Sequence, residues 1–189
     1  CGQGTVFGDM MEDLDKIKLK SQPLRQSSFY RLLKNIREHN EVYKKSGAVH
    51  GCALCKDEKI EIFIEDVGRH NATDAIAGYM LLEEIQGSDK LFYTTGRLTS
   101  EMVIKVAQMG ISILFSRAGI TKMGLELSQK LGVTTISRAA GKHFLVYNGV
   151  ETLIYDAKPS EKTSSRYHNS GITEESSLND RRRGSESNT

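Results

Sequence analysis

The chain has 189 residues, a formal net charge of +2 at pH 7 and 26% charged side chains. This length suits one domain with an appendage. Such a small net charge gives no electrostatic argument for binding nucleic acid or a membrane surface. The sequence holds no run of roughly 18 apolar residues, which excludes a transmembrane helix, and no signal-peptide pattern is visible at its start.

Three cysteines are an odd number, which disfavours a disulfide scaffold and favours a reducing, cytoplasmic location. The chain opens on Cys1 rather than Met, so we expect it to be processed or to be a piece of a longer protein. Three regions follow from composition. We predict a cysteine-bearing loop at 1–15, one α/β domain at 16–156 and a disordered, Ser-, Glu- and Arg-rich tail at 157–189.

Along residues 16–156 the apolar periodicity predicts alternating strands and helices. Strands are expected at 16–20, 47–54, 59–64, 90–94, 111–115, 133–136, 144–147 and 152–154. Helices are expected at about 29–36, 71–86, 100–109 and 121–131. Helices between strands imply right-handed crossovers, so we predict a three-layer α/β sandwich with a mixed, largely parallel sheet. A first hairpin joins the second and third strands, and a second hairpin is expected around Asn148-Gly149.

A polar segment, 65–75, lies between a predicted strand and a predicted helix. It holds Asp66, Gly68, Arg69 and His70 where α/β proteins place ligand sites, at the carboxyl end of a strand and the start of a helix. The alternative is an ordinary helix start, with a capping Asp or Asn and an arginine paired to a local acid. For the cluster as a whole we favour a ligand site.

Two later segments, 95–101 and 116–121, repeat the order of strand end, glycine with arginine, and helix start. The first contains Gly96 and Arg97. Parallel strands bring such loops to one edge of a sheet, and arginines beside helix amino termini favour an anionic, phosphate-bearing ligand. The alternative is that these arginines only pair with nearby acids and fasten the helix starts.

Cys52 and Cys55 form a Cys-x-x-Cys two residues after His50. A zinc site needs a second ligand pair, and the zinc-deaminase pattern needs a Glu and a Pro, neither of which is in place. We therefore expect no metal and predict that both thiols pack as small apolar side chains in the core. Glycine-flanked Cys1 is instead predicted on an exposed loop, where its thiolate is accessible. The alternative is that Cys1 is merely the first residue of a fragment.

Several motifs follow one another in a defined order: Glu65 to Ala72 (EDVGRHNA), Gly96-Arg97, Ser100 to Val103 with Lys105, and Gly132 to Thr134 with Phe144 and Tyr147. In this order they resemble the formate dehydrogenase accessory sulfurtransferase family. The similarity runs from Cys1 to about Tyr155 and looks like the larger, C-terminal part of that family.

The resemblance implies a cytidine-deaminase-like fold without the deaminase zinc, usually as a homodimer. It implies that Cys1 accepts persulfide sulfur from a cysteine desulfurase. The sulfur then passes to the molybdenum cofactor, bound as bis-molybdopterin guanine dinucleotide, which formate dehydrogenase needs. The resemblance and the motifs together give these cofactor-binding residues: Asp66, Gly68, Arg69, His70, Gly96 and Arg97, with Arg138, Ala139, Ala140, Gly141, Lys142 and His143 closing over them.

One competing hypothesis belongs to a different class. Family members often carry Cys-x-x-Cys in the cysteine loop, and if Cys1 is its first cysteine, Gly4 stands at the second position. The absence of a second cysteine would favour a nucleotide- or cofactor-binding chaperone module that presents the cofactor without sulfur-transfer chemistry.

Overall fold

The computed structural model describes Leu14 and residues 16–157. The predicted sulfur carrier Cys1, almost all of the predicted loop 1–15 and the predicted tail from residue 158 lie outside the described residues, so these predictions stay untested. Within the described part, no helix is long and apolar enough to cross a membrane.

The described residues form five helices, eight strands and a short 3₁₀ turn at Val150–Thr152. The helices are α1 (Gln26–His39), α2 (Glu41–Ser46), α3 (Arg69–Leu82), α4 (Ser100–Gln108) and α5 (Lys122–Leu131). The strands are β1 (Leu24–Arg25), β2 (His50–Lys56), β3 (Lys59–Asp66), β4 (Leu91–Thr94), β5 (Ile113–Ser116), β6 (Thr134–Ala140), β7 (His143–Asn148) and β8 (Leu153–Ile154).

Six strands form the main sheet, in the order β3-β2-β4-β5-β6-β7. The pairs β4–β5 and β5–β6 are parallel, whereas β2–β3, β2–β4 and β6–β7 are antiparallel. Strands β3, β4, β5 and β6 therefore run in the same direction. Strand β2 lies between β3 and β4 and runs in the opposite direction, so the connection from β3 through α3 to β4 passes over β2. The predicted mixed sheet is confirmed. The prediction that it is largely parallel is correct for strand direction but wrong for neighbouring pairs, because β2 inserts between β3 and β4.

Helices cover both faces of the sheet, which confirms the three-layer architecture. On one face α1 packs through Phe29, Leu32 and Ile36, all of which are buried. On the other face lie α3, α4 and α5. Successive side chains of β4 point to opposite faces of the sheet. Phe92 therefore packs in the core under α3–α5, and Tyr93 packs in the core under α1.

The predicted first hairpin is confirmed as β2 and β3, but the second hairpin is wrong. Strand β7 pairs with β6 across the turn at Gly141, and β8 pairs in parallel with β1 instead of returning along β7. The Asn148 side chain donates hydrogen bonds to the carbonyl oxygens of Ser128 and Val133, at 3.2 and 2.8 Å. These bonds anchor the end of β7 on α5 and on the residue that precedes β6, so Asn148-Gly149 marks a strand end and not a hairpin.

The strand predicted at 16–20 is also absent. Ile17 and Leu19 pack on the core beneath α3–α5, which accounts for the alternating apolar pattern. The backbone N–H of Leu19 donates to the carbonyl oxygen of Leu131 at 3.0 Å, at the end of α5. The alternation thus reflects burial against a helix end and not pairing in a sheet.

Candidate functional site

The loops that follow β3, β4 and β5 meet at one edge of the sheet, as predicted. The Arg69 side chain lies directly over Gly96, where a Cβ atom would stand 2.5 Å from Arg69 Cδ. The Ser116 hydroxyl donates to the Gly96 carbonyl at 2.5 Å. The Arg138 N–H donates to the Ala118 carbonyl at 3.0 Å. These contacts join the loops in the order in which their strands lie in the sheet.

Asp66 organises the turn before α3. Its Oδ1 accepts hydrogen bonds from the Gly68 N–H at 2.7 Å and from Asn71 Nδ2 at 3.1 Å. Gly68 is the residue that precedes the helix, and no side chain caps the first turn. A Cβ atom at Gly68 would stand 3.3 Å from Asn71 Nδ2, so the turn is closely packed. The carboxylate of Asp66 therefore fastens the loop, in partial agreement with the predicted capping role.

The two predicted ligand-binding arginines have no carboxylate partner among the described residues. Arg69 Nε is buried without a hydrogen-bond partner, and Arg97 is exposed. The Asp66 carboxylate accepts hydrogen bonds within the turn before α3 and does not pair with an arginine. The Glu101 carboxylate pairs with His70 instead, at 3.3 Å from Nε2. The alternative in which these acids neutralise the arginines is therefore wrong, and both guanidinium groups remain available for an anion.

His70 lies between the starts of α3 and α4. Burial lowers the pKa of its imidazole, and the nearby Glu101 carboxylate acts in the opposite direction without overcoming burial. The ring is therefore neutral at neutral pH, with its buried Nδ1 lacking a partner among the described residues. The Thr99 hydroxyl is likewise buried without a partner. Unpartnered buried polar atoms are costly, which favours a polar ligand here.

A cavity lies between α1 and the sheet, on the face opposite α3–α5, and we call it the α1 cavity. It has a volume of about 760 Å³, within the range of small-molecule sites. Its inner wall is apolar or aromatic and includes Tyr30, Leu33, Ile36, Tyr43, Tyr93 and Ala139. Its cations are Arg31, Lys34, Arg37, Lys44, Arg117 and Lys142. None of the lining residues is acidic.

The predicted closing turn, 138–143, belongs to this cavity. Ala139, Ala140, Gly141 and Lys142 line it opposite α1. Arg138 and His143 are exposed. This placement differs from the prediction that the turn closes over Arg69 and Arg97, because Phe144 and Val146 of β7 pack on the α1 side of the sheet. The structure thus divides the predicted cofactor residues between two faces of the sheet.

A second cavity of about 440 Å³ lies at the carboxyl edge of the sheet, and we call it the edge cavity. It shares Tyr43 and Arg117 with the α1 cavity. The Arg117 guanidinium carbon stands 5.6 Å from the centre of the Tyr43 ring, in a cation–π contact. His50 Nδ1 and the Thr95 hydroxyl, 3.2 Å apart, provide polar groups on its wall.

The residue that holds α2 beside these cavities is Glu65, which was not among the predicted site residues. The carboxylate of Glu65 accepts the backbone N–H groups of Val42 and Tyr43, at 3.0 and 2.8 Å. It therefore caps a helix that lies 22 residues earlier in the chain. The acid opens the polar segment, but nothing in its local sequence shows that its partners are so distant. Tyr93, whose buried hydroxyl interacts with the Asn40 side chain, was missed because it reads as an ordinary strand residue.

Cys52 and Cys55 lie in β2 and face opposite cores, and both are fully buried and free. Burial raises the pKa of each thiol. The prediction that they pack as small apolar side chains is confirmed. Because they point to opposite faces, they cannot bind one metal ion together, and the described residues contain no group of three possible ligands.

Comparisons with known proteins agree with this architecture. The profile of the FdhD/NarQ family matches residues 1–154. A protein named sulfur carrier protein FdhD, from Bacillus pumilus (strain SAFR-032), is 35% identical over 149 residues, which are 78% of this chain and 56% of that protein. Its namesake from Bacillus subtilis (strain 168) is 31% identical over 155 residues, 81% of this chain and 59% of the relative.

A solved structure is also similar. The crystal structure described as a formate dehydrogenase accessory protein from Desulfotalea psychrophila superimposes with a TM-score of 0.69 at 30% identity. The match covers 76% of this chain and 62% of that one. The chain thus spans a little over half the length of these relatives. The match over residues 1–154 and the shared fold confirm the family that the motifs indicated: the chain belongs to the FdhD/NarQ family.

Proposed function

We propose that this chain is a sulfur carrier that serves the maturation of formate dehydrogenase. The thiolate of Cys1 attacks the outer sulfur of a persulfide on a cysteine desulfurase. The sulfur–sulfur bond of that persulfide breaks, the desulfurase cysteine leaves as a thiolate, and Cys1 carries the persulfide as a covalent intermediate. The sulfur–sulfur bond on Cys1 then breaks, the Cys1 thiolate leaves, and the outer sulfur passes to the molybdenum cofactor as sulfide, with the two electrons supplied by a thiol reductant. The observation that carries the proposal is the family match from residue 1 to residue 154, which includes Cys1.

The buried state of the other thiols supports Cys1 as the carrier. Cys52 and Cys55 are fully buried, and their raised pKa values keep them protonated at neutral pH. A thiolate is the nucleophile in sulfur transfer, so neither side chain is suited to accept sulfur. Sulfur chemistry in this chain therefore depends on Cys1.

We also propose that the cofactor, in its bis-molybdopterin guanine dinucleotide form, binds at the carboxyl edge of the sheet. The unpaired guanidinium groups of Arg69 and Arg97 and the starts of α3 and α4 supply positive charge for its diphosphates. His70 and Gly96 belong to the same edge. Gly96 leaves room for the Arg69 side chain to lie flat on the loop, because a Cβ atom would displace it.

Partners and assembly follow from the same proposal. The chain would act in the cytoplasm, receive sulfur from a cysteine desulfurase and serve a formate dehydrogenase. A homodimer is supported by apolar side chains near the end of α3, where Leu81 and Leu82 are 80% and 82% exposed. Light scattering from the purified chain measures its mass directly, and a monomer at micromolar concentration would contradict the dimer.

The function is tested by complementation. In a bacterial strain that lacks its own sulfur carrier of this family, the chain should restore formate dehydrogenase activity. Cys1→Ala should abolish this activity at unchanged protein level, whereas Cys55→Ala, which removes a buried thiol, should retain it in proportion to folded protein. Full activity of Cys1→Ala would instead favour the second candidate, a cofactor-presenting module without sulfur transfer. The cationic sheet edge suits that candidate equally well.

A further inference from the structure

His70 and Glu101 form an imidazole–carboxylate pair at the starts of α3 and α4, with 3.3 Å between Nε2 and the carboxylate oxygen. Because a carboxylate only accepts hydrogen bonds, this contact favours the neutral ring with its proton on Nε2. The lone pair of Nδ1 is then free, and Nδ1 is buried without a partner among the described residues. We propose that His70 Nδ1 is the base that takes the proton of the Cys1 thiol, and that Glu101 is its positioning residue.

The pair has the composition that activates a nucleophile. Such sites combine a nucleophile, a base within hydrogen-bond reach and a third group that orients the base. The proton of Cys1 moves from sulfur to His70 Nδ1, which leaves a thiolate beside an imidazolium and changes neither the net charge nor the number of electrons. The thiolate then attacks the persulfide of the desulfurase. When Cys1 later leaves as a thiolate, the imidazolium returns the proton to it.

The other charged groups around His70 favour a thiolate. Besides Glu101, these groups are Arg69, Asp74 and Lys105. The Lys105 ammonium pairs with both carboxylate oxygens of Asp74, at 2.6 and 2.7 Å, so these two charges largely offset each other. Arg69 Nε is buried without a partner among the described residues. A nearby cation lowers the pKa of a thiol, so Arg69 and the base favour the same charged state of Cys1.

The other histidines of the described part lack this arrangement. The ring of His39 is exposed, and its Nδ1 lies 2.9 Å from a backbone carbonyl oxygen of α1. His50 Nδ1 lies 3.2 Å from the Thr95 hydroxyl, and His143 is exposed on β7. Within the described residues, only His70 has a carboxylate at ion-pair distance and a buried ring nitrogen that is free. It is therefore the histidine suited to act as a base.

The place where the described chain begins allows Cys1 to reach this pair. Leu14 is 1% exposed and packs in the core under α3–α5, the layer whose helices carry His70 and Glu101. Cys1 lies 13 residues upstream of Leu14. A chain of that length spans up to roughly 40 Å, about the width of a small domain. The carrier segment is thus fastened on the side of the sheet where the pair lies and is long enough to reach it.

This inference rests on the proposed function, because Cys1 is the sulfur carrier there, and it adds the base and the group that orients it. The pKa of the Cys1 thiol tests it without a desulfurase, a cofactor or a dehydrogenase. A low thiol pKa that depends on His70, in a chain that accepts no sulfur, would refute the proposed function alone. Persulfide formation at Cys1 with a thiol pKa that does not depend on His70 would refute the inference alone.

The experiment measures the rate at which iodoacetamide alkylates Cys1 in the folded 189-residue chain, as a function of pH. Cys1 should stay reactive below the ordinary thiol pKa of about 8.5. His70→Gln should raise its pKa by about one unit. Alkylation at pH 7 should then slow roughly threefold, because the smaller thiolate fraction is partly offset by greater nucleophilicity. His39→Gln is the matched control and should change the rate by less than about 1.5-fold, since this exposed histidine has no carboxylate partner among the described residues. Equal changes in both variants, or none in His70→Gln, would overturn the proposal.

A double-mutant cycle tests the positioning role of Glu101. Glu101→Gln should raise the Cys1 pKa in the wild-type background and leave it unchanged when residue 70 is already Gln. Glu126→Gln, which removes an exposed carboxylate paired with Lys122, is the control and should have no effect in either background. Equal rises from Glu101→Gln in both backgrounds would show that Glu101 does not act through His70.

A reciprocal measurement keeps the test independent of how well the His70 variant folds. Two ionisable groups in contact titrate as a coupled pair, so removing one alters the titration of the other. The NMR titration curve of His70 should therefore differ between the unchanged chain and Cys1→Ala, whose substitution leaves the described core intact. Identical curves in the two proteins would overturn the proposal.

Discussion

Two threonines occupy the same place in neighbouring loops at the sheet edge, and they should differ in their contribution to stability. Thr99 precedes α4, and Thr121 precedes α5. The Thr121 hydroxyl accepts the Gly124 N–H at 3.1 Å and so caps its helix, and it also lies 3.4 Å from the carbonyl oxygen of Leu98. The Thr99 hydroxyl is buried without a partner among the described residues.

Valine has nearly the shape of threonine, so a Thr→Val exchange removes the hydroxyl and little else. Thr121→Val should lower the free energy of unfolding by about 1 kcal/mol, within the range of about 0.5–2 kcal/mol for the loss of a cap. For a domain of this size that is roughly 2–4 °C in melting temperature. Thr99→Val should leave stability unchanged or raise it slightly, because it removes a buried hydroxyl that bonds to nothing.

Calorimetric melting and urea unfolding of both variants measure the difference. The comparison is internal, since both positions precede a helix, follow a parallel strand and receive the same substitution. Equal destabilisation by the two variants would refute the assignment of the cap to Thr121 alone. No effect of Thr121→Val would refute the reasoning about hydrogen bonds at this edge.

Two further predictions concern the first turns of α1 and α3, where Ser27 and His70 lie. Removing residues 157–189 should leave the melting temperature nearly unchanged, whereas ending the chain at residue 155 should lower it, because the Asp156 carboxylate accepts the N–H and hydroxyl of Ser27, both at 2.8 Å. A large drop in melting temperature with the first truncation would contradict this. His70 should titrate below its ordinary pKa of about 6.5 when followed by NMR. Its folded pKa is depressed, so the unfolded state binds the proton first and the contribution of His70 to stability falls as pH drops through about 6.5. An unshifted titration would contradict this.

The sequence predicted those parts of the fold that depend on local periodicity. Helices α3, α4 and α5 and strands β4 and β5 were placed within a few residues, because apolar spacing and strand-to-helix transitions are local signals. The pairing of strands was predicted less well. Nothing local shows that β2 inserts between β3 and β4, or that the short β8 pairs with β1. These pairings depend on which surfaces remain unburied after the helices pack.

The site shows the same division between local and distant information. The loops with Arg69, Gly96 and Arg97 were predicted correctly at one edge, because parallel strands bring their carboxyl ends together. The α1 cavity was missed because it is built from separate segments with no shared motif. The role of Glu65 was missed for the same reason, since its partners in α2 are distant in sequence and its own position at the end of a strand gives no sign of them.

The most direct test of the central claim is to locate persulfide sulfur on the chain. The purified protein is incubated with a cysteine desulfurase and cysteine, its thiols and persulfides are alkylated, and its peptides are analysed by mass spectrometry. The account predicts one added sulfur atom at Cys1 and none at Cys52 or Cys55, which should react with alkylating reagents only after unfolding. Added sulfur at Cys52 or Cys55 in the folded protein, or none at Cys1, would contradict it.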